Sequence, residues 1–240
     1  MCTLLLAVQA LPETPLLAAT NRDERLDRAA SPPSWWPARG GHPRVWAPRD
    51  EQAGGTWIGL NSAGLFVAVT NRFGEPRDAA RRSRGHVVLG ALEQRTALEA
   101  AALTAALDPA SVNPFHLVMI DRTHAMLVWH DGAQLHHEAL APGLHIITER
   151  SFNDAPDGRA AWLAPRLDAL LASGQLSLEA MGALLDVHEG RGLDDPRVHA
   201  AEWCYGTRSR TLASLHRSAR DTRFEYADLP SPAPSHATTG

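Results

Sequence analysis

The sequence contains no lysine: all 23 of its basic residues are arginine. That excludes a Schiff-base lysine, a lysine general base and the phosphate-binding loop built around one. Cysteine is scarce, with only Cys2 and Cys204 in 240 residues. Two thiols do not make a disulfide scaffold, and they fit a reducing, cytoplasmic compartment. No apolar run approaches the ~20 residues a membrane-spanning helix needs. The opening "CTLLLAV" is apolar, but it lacks a basic leader and a cleavage site, so it does not read as a secretory signal. Charge of one sign is not in excess either. The net charge of −4 gives no bulk field favouring nucleic acid or an anionic membrane.

What is present is an ordinary globular composition, 44% hydrophobic and 21% charged. A chain of this length can bury a core without covalent staples. Thr3 to Val8 reads as a buried strand, "LPETP" as a turn, and Leu16 to Thr20 as the returning strand, with "NRDE" at its far end. Residues 29–55, rich in Pro, Gly, Trp and Arg, read as a long irregular loop. "TWIGL", "NSAG" and "LFVAVTN" give a second hairpin.

A helical pattern runs from Gly85 to Leu107. Four strands follow, "NPFHLVMID", "AMLVWH", "LHHEAL" and "GLHIIT". Two helices are expected over 159–172 and 177–188, the second capped by Ser177. "RTLASLHR" and "TRFEYAD" close the chain with a last hairpin. Runs of hairpins separated by helix blocks predict an α+β fold of antiparallel sheets covered by helices. One domain is expected over residues 1–228, with a disordered tail over 229–240.

Cys2 lies directly behind the initiator methionine. Removal of Met1 would leave a thiol and a free α-amine on one residue. An unperturbed α-amine has a pKa of about 7.7–8.0 and a thiol about 8.5, so the amine can serve as general base for its own sulfur. The competing reading is a small buried hydrophobe. A hairpin over the first twenty residues would return Arg22 and Asp23 to the side of Cys2. Asp23 could hold the protonated amine, and Arg22 could favour thiolate and bind an anionic substrate group. The alternative there is a solvated, salt-bridged strand end. Asn71 ends the strand "LFVAVTN" with an amide of the type that binds an oxyanion, or simply makes a turn. "CYGTRSRT" contributes Arg208 and Arg210, two apart and expected on one face of a strand.

Taken together, "MCTLLL", "AATNRDE", "GGTWIGLNSAGLFVAVTN", "NPFHLV" and "YGTRS" resemble the NRDE family, whose eukaryotic members are called transport and Golgi organisation protein 2. The resemblance spans residues 2 to about 211. It implies an N-terminal-nucleophile hydrolase-like fold, a four-layer αββα sandwich of two antiparallel sheets. More distantly the pattern is similar to the penicillin V acylase and bile salt hydrolase group of cysteine amidases. That likeness implies Cys2 as nucleophile, Asp23 beside its amine, Arg22 just ahead, Asn71 for the oxyanion, and Arg208 as the late arginine, with Arg210 in its place as the other option. One position departs: after "HIIT", where that group carries an asparagine, this chain has Glu149. Asn153 would fill the role only through a loop shift. A carboxylate donates no hydrogen bond unless protonated.

Two functional readings follow. One is hydrolysis of a linear amide or acyl bond by processed Cys2, with no cofactor required. The other is a binding or trafficking protein for haem or an acyl lipid on the same scaffold, matching roles associated with the family. In that reading Trp35, Trp36 and Trp46 would line an apolar cleft. The twelve histidines show no diagnostic metal spacing, and the strand neighbours His136 and His137 point to opposite faces. No metal site is expected. Cys204 is expected close to the candidate site.

Overall fold

The computed structural model describes residues 2–37, 39–73, 78–150, 152 and 158–229. Strands β1 (Cys2–Leu11) and β2 (Thr14–Arg25) form the first hairpin. They are longer than the apolar pattern suggests. The turn shrinks to Pro12 and Glu13, because Leu11 already pairs with Thr14. "NRDE" lies within β2 rather than beyond it: β1 pairs as far as Arg22, and β12 (Tyr205–Leu215) pairs along the other edge as far as Arg25. Backbone pairing on both sides keeps these polar residues extended, and their side chains find partners of their own.

The first sheet runs β10 (Gly143–Ile147), β1, β2, β12, β11 (His199–Ala200), with β13 (Arg223–Asp228) also on β12. The second keeps sequence order: β3 (Ala30–Trp35), β4 (Val45–Asp50), β5 (Ile58–Asn61), β6 (Phe66–Asn71), β7 (Phe115–Ile120), β8 (Ala125–His130) and β9 (Leu135–Ala139). Among the described residues, every pairing of these strands is antiparallel. The expected loop over 29–55 therefore contains two strands. Pro32 and Pro33 punctuate this stretch as a loop would. They sit on the edge strand β3 inside the bulge between Ser31 and Ser34, where a missing N–H breaks no ladder bond.

Helices α1 (Arg84–Leu92) and α2 (Ala97–Ala105) replace the single helix expected over 85–107. Thr96 divides them: its hydroxyl accepts from the Glu99 N–H while Glu99 answers on the Thr96 N–H, a capping box that starts a new helix. Helices α3 (Gly158–Ala172) and α4 (Leu178–Leu185) fall where expected, and Ser177 caps α4.

Strand alternation divides the apolar residues among three cores. Along β1, Leu4, Leu6 and Val8 meet Phe66, Val118 and Leu127 between the sheets. Leu5 and Ala7 point the other way, onto Leu163, Leu167, Met181 and Leu185 of α3 and α4. Val67, Leu117 and Met119 of the second sheet pack under Val87, Val88 and Leu92 of α1. The layers are helices, sheet, sheet, helices: the αββα sandwich.

Asn61 ties the second sheet to α1. Its amide donates to the carbonyls of Leu92 (2.8 Å) and Gln94 (2.6 Å). Its oxygen accepts from Ala63 and Leu65 (3.0 Å each). Asn61→Ala leaves these buried backbone groups unmatched, so the expected loss is at least about 2 kcal/mol, read as a lower urea midpoint.

Candidate active site

The β1–β2 register sets Cys2 opposite Arg22 and Thr3 opposite Asn21. Cys2 shares the inter-sheet face with Leu4 and packs against the central core. The backbone N–H of Asp23 donates to its sulfur. Burial pushes the thiol up, while Arg22 and that N–H pull it back toward the thiolate. Arg22 is 6% exposed, and its guanidinium lies over the Trp57 ring at 4.0 Å.

The four residues of "NRDE" have four different tasks. Asn21 is an anchor: its amide donates to the carbonyls of Leu185 (2.8 Å) and Pro196 (2.9 Å). Arg22 flanks the thiol. Asp23 is fully buried beneath it. One carboxylate oxygen accepts from Arg159 (3.0 Å) and the other from the Thr207 hydroxyl (2.6 Å). Glu24 pairs with Arg28 at 3.7 Å. Arg159, from the first turn of α3, also donates to the Thr3 hydroxyl (2.7 Å) and to the Leu193 carbonyl. The Tyr205 hydroxyl donates to the Asp23 carbonyl at 2.8 Å. Burial pushes the Asp23 carboxyl above its ordinary value, opposed by Arg159 and by Thr207.

Two chambers open at this end of the sandwich. A polar one of about 320 Å³ is walled by Cys2, Arg22, Asp23, Trp57, Asn71 and Gly85, among others. Gly55 lets its wall close, since a Cβ there would lie 2.5 Å from the Gly85 carbonyl carbon. An apolar one of about 480 Å³ is walled by Phe73, Pro114, Leu193, Trp203 and Tyr205, together with Glu149. Asn71, Arg84 and Asn113 line both. Asn71 ends β6 and Glu149 follows β10, so the two sheets bring these residues to one place. Glu149 is 6% exposed, and burial pushes its carboxyl up.

Other expectations need correction. Arg208 lines neither chamber; it donates to the carbonyls of Arg25 and Leu26. Arg210 lines neither as well, and pairs with Asp186 at the end of α4. The bulge between Thr207 and Ser209 breaks the alternation on which a shared face was expected. Trp35 and Trp46 stack edge to face on each other at 5.4 Å, and Trp36 donates to the Ala47 carbonyl. None of these three lines either chamber; Trp57 and Trp203 do. Cys204 is an exposed free thiol in the left-handed conformation. It lies between Trp203 and Tyr205, which line the apolar chamber, so it is near the site without being on its wall, and its carbonyl accepts from Leu26. Asn153 and residues 230–240 lie outside the described residues. Arg159 was not foreseen, because nothing local marks an arginine opening an alanine-rich helix as the partner of an aspartate 136 positions away.

A family model described as Transport and Golgi organisation 2 matches residues 1–186. The chain belongs to that family. Comparison of the sequence with curated proteins finds no match. Among solved structures, this family member is similar to a Caenorhabditis elegans ortholog of N-acylethanolamine-hydrolyzing acid amidase. The TM-score is 0.65 at 14% identity, over 95% of this chain and 100% of that one. Penicillin V acylase from Agrobacterium tumefaciens matches at TM-score 0.56 and 17% identity, over 95% and 86%. The C2A variant of conjugated bile acid hydrolase from Clostridium perfringens matches at 0.56 and 11%, over 95% and 92%. At these identities the likeness establishes the N-terminal-nucleophile hydrolase fold. Among the described residues, no helix is long and apolar enough to cross a membrane.

Arg159→Met strands a buried carboxylate, which costs about 3–5 kcal/mol. Without its guanidinium, the Asp23 carboxyl has a folded pKa raised further above its unfolded value. The variant is therefore least destabilised in acid and loses stability as pH rises through that folded value. Urea denaturation at acid and neutral pH measures this, and adding Asp23→Asn should remove the pH dependence.

Proposed function

We propose that, after removal of Met1, this protein is an N-terminal cysteine amidohydrolase. Its substrate is a small molecule cleaved at a linear amide or similar acyl bond, a C–N bond other than a peptide bond. The observation that carries this reading is the meeting of Cys2, Arg22, Asp23 and Asn71 at one chamber wall, from three strands of two sheets. Relatives named as an amidase, an acylase and a hydrolase support it through the shared fold.

The chemistry follows from the residues. The freed α-amine takes the thiol proton as sulfur attacks the acyl carbon, and returns it to the leaving amine. Asp23, held by Arg159 and Thr207, sets the amine's orientation. The Asn71 amide donates to the tetrahedral oxyanion, a contact that can supply ~3–4 kcal/mol. Arg22 binds a negative group of the substrate beside the thiol. Water then releases the acyl group from sulfur.

The apolar chamber favours a second reading, retention of an acyl lipid without cleavage, because Phe73 and Trp203 stand 72% and 63% exposed on its wall. For haem, no histidine among the described residues lines either of these chambers, while His42 and His86 line a separate cleft of about 280 Å³ with Trp36. A haem titration whose Soret shift survives Cys2→Ala but vanishes on one histidine change would favour a haem carrier.

The deciding measurement is intact mass. The purified protein should lack one methionine and should gain one acyl group on Cys2 with a slow amide substrate. Cys2→Ala should abolish turnover, and Asn71→Ala should slow it ~10²–10³-fold. Full turnover by Cys2→Ala sinks the proposal.

A further inference from the structure

Three arginines stand around the rim where β1 starts and β2 ends, and they are satisfied in different ways. Arg159 meets the Asp23 carboxylate at 3.0 Å, and Arg28 meets Asp50 at 2.6 Å. Arg22 is buried, yet among the described residues its guanidinium makes no hydrogen bond, and its one ion pair is a 4.0 Å approach to Glu24. Glu24 is itself closer to Arg28, at 3.7 Å. What holds Arg22 is a ring: its guanidinium carbon lies 4.0 Å from the centroid of Trp57. The face of an indole attracts a cation without occupying its N–H donors. The charge of Arg22 is therefore not cancelled, and the residue opens on the polar chamber that Cys2 also lines.

The stretch "GGTW" sets the ring. Gly55 packs so closely on α1 that a Cβ there would lie 2.5 Å from the Gly85 carbonyl carbon, and the Thr56 N–H donates to the Gly85 carbonyl at 3.3 Å. The Trp57 carbonyl then accepts from the Val69 N–H of β6 at 2.9 Å. Its half-buried ring packs against both the core under α1 and the core between the sheets. Trp57 belongs to the second sheet and Arg22 to the first, so their contact spans the sandwich at the chamber wall. Arg22 stands opposite Cys2 in the β1–β2 register, and opposite residues of an antiparallel pair turn to one face. The other groups that act on the thiol are the amino terminus and Asp23, with the Tyr205 phenol kept neutral by burial. Elsewhere on the chamber wall Arg81 pairs with Asp78 at 3.6 Å, and Arg82 and Arg84 line it too.

We propose that Trp57 is a positioning residue of this site: its ring holds the Arg22 guanidinium beside the Cys2 sulfur while leaving the positive charge unneutralised, available to the thiolate and to an anionic group of the substrate. The proposal deepens the hydrolase reading and rests on its nucleophile. A carboxylate in place of the ring would fix Arg22 and cancel its field at the sulfur. An aliphatic side chain would leave the charge but not hold it. The indole face does both. Arg22 so placed favours the thiolate against the burial that opposes it.

The test follows the Cys2 thiol rather than turnover. The full chain is freed of Met1, and Cys204→Ser removes the exposed second thiol. Iodoacetamide alkylation is followed by intact mass across roughly pH 5 to 10, a span that brackets an ordinary thiol. Trp57→Leu should move the midpoint of the rate profile to higher pH by about one unit, or roughly tenfold less thiolate at neutral pH. Trp57→Phe, which keeps a ring, should fall between it and the wild type. In an Arg22→Gln background the same Trp57→Leu change should add nothing. Trifluorinated tryptophan, incorporated in place of tryptophan, weakens the electrostatic face of the ring with little change of shape. It should raise the midpoint in the otherwise unaltered chain and leave it unmoved in Arg22→Gln, a readout that does not depend on Trp57→Leu folding. The sign is diagnostic, because an electron-poor ring acting directly on the thiolate would lower the midpoint instead. An unmoved or lowered midpoint with the fluorinated ring, or a Trp57→Leu shift that persists in Arg22→Gln, overturns the role of Trp57 and leaves the hydrolase reading standing. The expected shifts in a protein that never acylates Cys2 support the role of Trp57 and overturn the hydrolase reading alone.

Discussion

The buried contact between Asp23 and Arg159 ties together three strands, a helix and the segment before β11. The guanidinium reaches from α3 to β2 through Asp23, to β1 through Thr3, and to the segment before β11 through Leu193. Thr207 closes the ring from β12, and its hydroxyl also receives the Val198 N–H at 2.8 Å. A buried ion pair of this kind adds little net stability over a well-packed apolar pair, because both charges lose water. Its value lies in direction. Each partner is satisfied only in one geometry, so the first residues of β1 are fixed against the first turn of α3. The nucleophile candidate is the residue before Thr3, and a strand start pinned there can hold a free amine in a defined orientation.

The sandwich then explains why the site lies at this end. Along β1, β2 and β6 the residues deeper in the sheets are apolar and closed on three cores. Only where the strands end can polar groups converge without filling the centre with unpaired charge. Cys2, Arg22 and Asn71 all occupy that rim. The two chambers differ in kind, and Asn71 lines both. A carbonyl bound there would have arginine-rich walls on one side and aromatic walls on the other.

The parts legible in the sequence were those set by local periodicity and short-range pairing. Alternation gave β1, β5 through β8 and β10, and the hairpin argument gave the neighbourhood of Cys2 with Arg22. Ser177 marked its helix by cap chemistry alone. Residues 29–55 were misread because proline and glycine punctuate loops and edge strands alike, and only the partner strand distinguishes them. The break between α1 and α2 was lost because alanine and leucine continue across it, while the capping box at Thr96 is a small signal inside a strong one. Trp57 was overlooked as a site residue because its neighbours on β5 read only as a strand, and its contact with Arg22 crosses from one sheet to the other.

Arg208 and Arg159 show the limit most clearly. A motif names a residue, but an aspartate buried in a fold requires only a guanidinium at the right distance. In this chain the arginine of "YGTR" falls on a β-bulge, which turns it onto the carbonyls of the turn after β2. Asp23 itself is met by an arginine arriving from a helix on the outer layer, a partner that no motif marks. Glu149 shows the same dependence on the fold: burial, which nothing in its sequence neighbourhood signals, pushes its carboxyl above the ordinary range.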